Sequence, residues 1–283
     1  MAPADFDVGV GASLSAQKAG LFAFSPEASS DAWTKAVGPN FITGGTTIAD
    51  IAKATAQFAN SRGWKGAYIV TNPAFNYFTQ QEPIFAEVFA GEVIGRDDAA
   101  DDAADYAPII TKIRNAGDAV DVIFLNDYFP HVGTFIKQLR AAGLATAVVG
   151  SGSYSSAAFP EVVGVEGLKD VYYVSTAYYE GDDVDPGIAR FLAAYAEKFG
   201  GAPDNANALL SYYSGLIIAD ALKKAGSTKA DAISAAIAEQ KDLVLPGVTI
   251  YEWTNRYPRT SQTVIGFTDE GKFRAVEVID ARE

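Results

Sequence analysis

Short continuous apolar runs alternate with stretches of helical period across residues 48–150, and this alternation restricts the chain to folds built from strand–helix–strand units. Ile48, Ile51, Thr55 and Phe58 share one helical face, Gly63 breaks it, and Gly66–Thr71 (GAYIVT) reads as a buried strand. Ile109, Ile110 and Ile113 mark a helix from about Tyr106 that stops at Gly117. Then come the strand VDVIFL (120–125), a helix with Val132, Phe135, Ile136 and Leu139 on one face, and the strand TAVVG (146–150). The result is β-α-β-α-β, an α/β fold with largely parallel sheets.

The second half is different in texture. Asp185-Pro186 is an N-cap followed by proline at the first helical position, opening a helix through Lys198 that stops at Gly200-Gly201. Helices follow from about Asn205 to Ala225 and over Lys229 to Gln240, then β-rich stretches VTIYEW, TVIGF and FRAVEVI. At 283 residues the length fits about two domains, and no repeat or low-complexity linker divides them.

Charge and scarce residues exclude several functions. With 22 basic and 35 acidic side chains the formal charge is −13, which disfavours phosphate backbones and anionic headgroups, so no nucleic-acid partner is expected. The absence of cysteine removes thiolate nucleophiles and cysteine-ligated metals, and a single histidine, His131, rules out multi-histidine metal sites. No GxSxG elbow, P-loop or HExxH pair occurs, so no catalytic residue, metal or cofactor is assigned. The longest uncharged run, Ala141 to Pro160, is broken by glycines, serines and proline, and no transmembrane segment is expected. The opening residues carry acids where a secretory signal needs basic then apolar residues, so no export signal is expected in this chain. The acidic run DDAADDAAD (97–105) lacks the glycine and glutamate of a calcium loop and reads as a solvated connector.

In open parallel sheets, ligands bind beyond the carboxyl ends of the strands. The loops there are SPEASS (25–30), NPAFNY (72–77), NDYFPH (126–131) and SGSYSS (151–156). Their hydroxyls, amides and aromatic rings suit holding a small solute and offer little for bond breaking, although the same residues also cap helices and set turns.

These loops, together with GWKGAYIVTNPAFNY, the stretch 105–144, AVVGSG, GLKDVYYVSTAY, ARFLAAYAEKFG and LPGVTIYEW, resemble the type I periplasmic solute-binding proteins of the branched-chain amino acid (Leu/Ile/Val) class. The resemblance covers essentially the whole chain. It implies two Rossmann-like lobes with parallel-rich sheets joined by a hinge: residues 1–46 and 177–255 in the N-terminal lobe, 47–176 and 256–283 in the C-terminal lobe. Family members have further chain and an export signal before the point matching Met1, so the N-terminal lobe is expected to be incomplete, with an open sheet edge that invites a homodimer.

The resemblance also implies a site. The ligand carboxylate would meet Glu27, through its backbone, and Ser29; Phe75 and Tyr128 would flank the ligand; Ser153 and Asn126 would line the C-lobe side. The family's first hydroxyl-bearing loop falls near Asp5 and Phe6, where no serine stands. Its ammonium-pairing acid falls on Gly152, which carries no charge, so an aromatic acid, an amide or another neutral or anionic solute is expected unless Asp127 supplies the carboxylate. The implied function is non-enzymatic capture of a small organic solute in the interlobe cleft, outside the cytoplasm, for ABC permease subunits in the membrane. The alternative is a ligand-sensing receptor or regulator domain of the same fold.

Overall fold

The computed structural model describes residues 6–181 and 184–282, without the side chains of residues 7 and 8. The strands are β1 (Ala23–Ser25), β2 (Phe41–Thr43), β3 (Gly66–Thr71), β4 (Glu92–Asp98), β5 (Val122–Asn126), β6 (Ala147–Ser151), β7 (Val171–Ser175), β8 (Leu243–Leu245), β9 (Val248–Thr254), β10 (Tyr257–Phe267) and β11 (Phe273–Asp280). The chain forms two compact units. Unit 1 takes the described parts of residues 1–50, 185–261 and 282–283, and unit 2 those of 51–184 and 262–281.

In unit 2 the strand order is β4-β3-β5-β6-β7-β10, with β11 on β10; β4 to β7 are parallel and β10 is antiparallel to β7. Every residue of β3, β5, β6 and β7 is buried, which is why these strands read as unbroken apolar runs rather than alternating ones. On one face Ile123, Leu125 and Val148 pack against Phe135, Ile136 and Leu139 of the helix His131–Ala141. On the other, Phe124 stacks on Phe85 at 4.1 Å, and Phe58 of the helix Ile48–Ser61 joins the same cluster.

Arg140 ties down the segments that lead into β6 and β7. Its guanidinium donates to the carbonyls of Gly167 (3.1 Å), Leu144, Thr146 and Lys169 (2.9 Å each). At the other end of β6, a Cβ on Gly150 would stand 2.4 Å from the Tyr154 ring, so only glycine leaves room for that buried tyrosine to donate to the Leu125 carbonyl at 2.7 Å.

Unit 1 contains the parallel pair β1–β2 and the antiparallel set β8-β9-β10. Asn255 and Arg256 link β9 to β10 with φ of 51° and 71°, a left-handed pair that matches the twist of a tight hairpin. Asp185 caps the helix Pro186–Phe199 by accepting from the Gly187 N–H at 2.6 Å, and Gly200 and Gly226 end the helices before them with φ of 84° and 56°. Trp33 lies flat on Phe41 at 4.7 Å and meets Phe6 edge-on at 5.4 Å, forming the centre of a small core beside β1 and β2. Arg256 donates to the carbonyls of Val37 (2.9 Å) and Phe41 (3.3 Å), holding the hairpin against this segment.

Candidate functional site

Asn72 joins the loops that leave the carboxyl ends of β3, β4 and β5. Its Nδ2 donates to Asp127 Oδ1 at 2.9 Å and to Asp101 Oδ1 at 3.1 Å, and its Oδ1 accepts from the Ala74 N–H at 3.0 Å. Asp101 also accepts from the Tyr128 hydroxyl at 3.0 Å. The Tyr128 ring stands edge-on to Phe75 at 5.4 Å and parallel to Phe78 at 6.4 Å; Phe78 is buried, whereas Phe75 is 36% exposed. The structure therefore brings Phe75 and Tyr128 together with Asn72, the first residue of one of the candidate loops, and adds Asp101, which the sequence reading left in a solvated connector.

Ser153 closes the next loop onto this group. Its hydroxyl donates to the Asp127 carbonyl at 2.7 Å and lies 3.1 Å from Ser151 Oγ, while its carbonyl accepts from the Phe129 N–H at 3.1 Å. Asn126 turns away: strand alternation puts it on the face of Val122 and Phe124, it is 0% exposed, and neither end of its amide has a partner among the described residues. Gly152 presents no side chain; around Asn72 the carboxylates are Asp101 and Asp127, and the buried Glu180 accepts from the Ser155 hydroxyl at 2.9 Å.

These two acids have opposite electrostatics. Hydrogen bonds from Asn72 and Tyr128 hold the exposed Asp101 carboxyl below its ordinary value. Asp127 is 1% exposed, and burial pushes its carboxyl up against the opposing bonds from Asn72 and the Tyr128 N–H. A raised acid favours folding fully below its unfolded pKa, and that contribution is lost as pH rises through the raised value. Asp127→Asn keeps an oxygen for both donors and removes the buried charge, so we expect a higher melting temperature than wild type at neutral pH. The gain should shrink as pH falls and wild-type Asp127 takes up its proton, as melting curves across pH 4–7.5 would show.

His131 opens the helix His131–Ala141, with Nδ1 3.3 Å from the Tyr106 hydroxyl and its ring 5.0 Å from Tyr128. No group of three or more His, Cys, Asp or Glu suited to a metal occurs among the described residues. A cavity of about 480 Å³ lies at the opposite ends of the unit 2 strands, beside Arg62, Trp64, Asp121 and Asp170. Two of its acids already have partners: Asp121 accepts from the Lys65 and Gly66 N–H groups, and Asp170 from the Tyr172 hydroxyl.

In unit 1 the loop after β1 is organised by hydroxyls. Ser25 Oγ accepts from the Ala28 N–H at 3.2 Å and the Glu27 N–H at 3.4 Å, and Ser29 Oγ donates to the Glu27 carbonyl at 3.0 Å. A Cβ on Gly45 would stand 2.5 Å from the Glu27 carbonyl carbon, so the loop after β2 packs directly on this backbone. Burial raises the Glu27 carboxyl. Phe6 belongs to the helix Phe6–Lys18, and Asp5 lies outside the described residues.

Residues 2–260 match the family described as Periplasmic binding protein. The chain belongs to the periplasmic binding protein family. One curated family relative, Leu/Ile/Val-binding protein homolog 7 of Brucella suis, is 27% identical over 137 residues, covering 47% of this chain and 34% of the relative. The matched stretch is thus about a third of that relative's length. Among solved structures, the branched-chain amino acid transporter substrate binding protein LivJ from Streptococcus pneumoniae, in complex with isoleucine, superposes with a TM-score of 0.77 at 22% identity, covering 94% of this chain and 76% of that one. A solute binding protein of an R. palustris ABC transporter, in complex with benzoate, gives 0.77 at 19% identity, covering 93% and 72%. At these identities the likeness is one of fold, and it identifies the α/β architecture as that of the type I periplasmic binding proteins. No helix among the described residues is long and apolar enough to cross a membrane.

Proposed function

We propose that this chain is the solute-binding component of an ABC importer, acting outside the cytoplasm to capture a small organic molecule and deliver it to membrane permease subunits, without bond-breaking chemistry. The observation that carries this reading is the aromatic group Phe75, Phe78 and Tyr128, which is held by hydrogen-bonded loops at the carboxyl ends of parallel strands. Phe75 and Tyr128 flank the solute. Ser29 and the backbone at Glu27 receive a carboxyl or carbonyl group, and Ser153 stands beside the rings in unit 2, whereas the buried Asn126 amide faces away and has no part in the site. The isoleucine and benzoate named for the structural neighbours fit such a lining of rings and hydroxyls.

Thermal unfolding against branched-chain amino acids, aromatic carboxylates, amides and polyols tests the reading. A solute at one hundred times its Kd adds roughly 2.7 kcal/mol of stability, enough to move the melting midpoint. Tyr128→Ala is expected to weaken binding of any such solute by about 1 kcal/mol or more, the scale of one lost aromatic contact. Unchanged affinity in that variant, measured by calorimetry, removes Tyr128 from the site.

A further inference from the structure

The acidic run 97–105 reads from sequence as a solvated connector, yet Asp101 within it is bonded to Tyr128 and Asn72. The protons around Asp101 are committed inward. The Tyr128 hydroxyl donates to Asp101, and both protons of the Asn72 amide go to Asp101 and Asp127. Ser153 donates to the Asp127 carbonyl, which leaves Ser151 to donate to Ser153, and Thr71 donates to Glu82 at 3.2 Å. Burial and then Asp101 raise the Tyr128 phenol, so it keeps the proton it donates. The Asn126 amide protons are buried on the opposite face of β5. Farther from Asp101, His131, whose Nδ1 faces Tyr106, the exposed Asn76 amide and the Ser156 hydroxyl, which accepts from the Ala158 N–H, keep protons to offer.

What the Tyr128 hydroxyl and the exposed Asp101 carboxylate offer a solute is therefore lone pairs, because the phenol proton is already spent between them. Carboxylate oxygens each accept more than one bond, and an aromatic wall adds attraction for a cation. No lysine or arginine forms an ion pair with Asp101 or Asp127 among the described residues. We propose that Asp101, acting with Asn72 and through Tyr128, is a specificity-determining residue: it fixes the ring and turns this wall into a hydrogen-bond acceptor, selecting solutes that present an N–H donor, an ammonium above all. This inference rests on the reading of Tyr128 as a wall of the solute site.

Calorimetry with matched probes tests it: leucine against 4-methylpentanoate, phenylalanine against 3-phenylpropionate, and benzylamine against benzoate. In every pair that binds, the ammonium-bearing member should bind at least about tenfold tighter, the scale of one charge-assisted hydrogen bond. Asp101→Asn keeps an oxygen to accept the Tyr128 proton but loses the charge. It should weaken the ammonium member at least about fivefold and leave its partner within about twofold. Because Asp101 is exposed, the variant should melt with wild type. If the pairs bind with a ratio near one, or if Asp101→Asn weakens both members alike, the inference is overturned while the solute-binding reading stands. If no probe binds wild type, the Tyr128 wall itself is overturned, and the inference with it.

Discussion

Trp33→Ala is expected to lower the stability of the protein by roughly 3–5 kcal/mol, the usual cost of emptying a fully buried aromatic site. Trp33 is 0% exposed, stacked on Phe41 and touched edge-on by Phe6, in a core with few other large side chains. Neighbouring strands β1 and β2 have three residues each, too few for the backbone ladder to resist a cavity beside it. Trp33→Phe keeps the stack and removes an indole N–H that has no partner among the described residues, so its loss should be much smaller. Urea unfolding checks both, with a lower midpoint at unchanged slope for the alanine variant. The Glu27–Ser29 loop runs between β1 and Trp33, so the alanine variant should also bind solute less tightly; wild-type stability in Trp33→Ala would show that this core does not hold unit 1 together.

Arg140→Met is expected to cost at least about 3 kcal/mol, because it leaves four backbone carbonyls without the charged donor that serves them. Arg140→Lys should recover little of this. A single ammonium is a point donor and cannot replace a planar fork that reaches four oxygens on separate segments. Thermal unfolding gives the size of the loss, and faster hydrogen exchange at the amides of β6 and β7 would place it. A lysine variant as stable as wild type would mean that the positive charge, not the fork, is what matters.

The readable parts of the fold were those whose burial is simple. β3, β5 and β6 lie inside the sheet and carry unbroken apolar runs, and the glycine stops at Gly117, Gly200 and Gly226 announce their helix ends locally. β4 escaped notice because it is an edge strand: Glu92–Asp98 carries four charged residues in seven and is nowhere fully buried. β2, at three residues, is too short to show a period. In the candidate site, the loops after the strands could be picked out by position, and Phe75 and Tyr128 by their rings. Asp101 could not, since its partners Asn72 and Tyr128 stand 29 and 27 residues away and a run of five aspartates looks like any solvated surface. The carbonyl clamps of Arg140 and Arg256 are hidden for the same reason: their acceptors are backbone atoms, which every residue has.

When each unit can be completed during synthesis follows from how the two share the sequence. Unit 1 begins within the first 50 residues, resumes at Asp185 and takes its hairpin from β9 and β10; unit 2 needs the far half of β10 and all of β11. Neither unit can complete itself until β10 has been made, so assembly cannot proceed one unit at a time from the amino end. Strands β3 to β7 can pair among themselves as they emerge, but β7 keeps an open edge until β10 has been made.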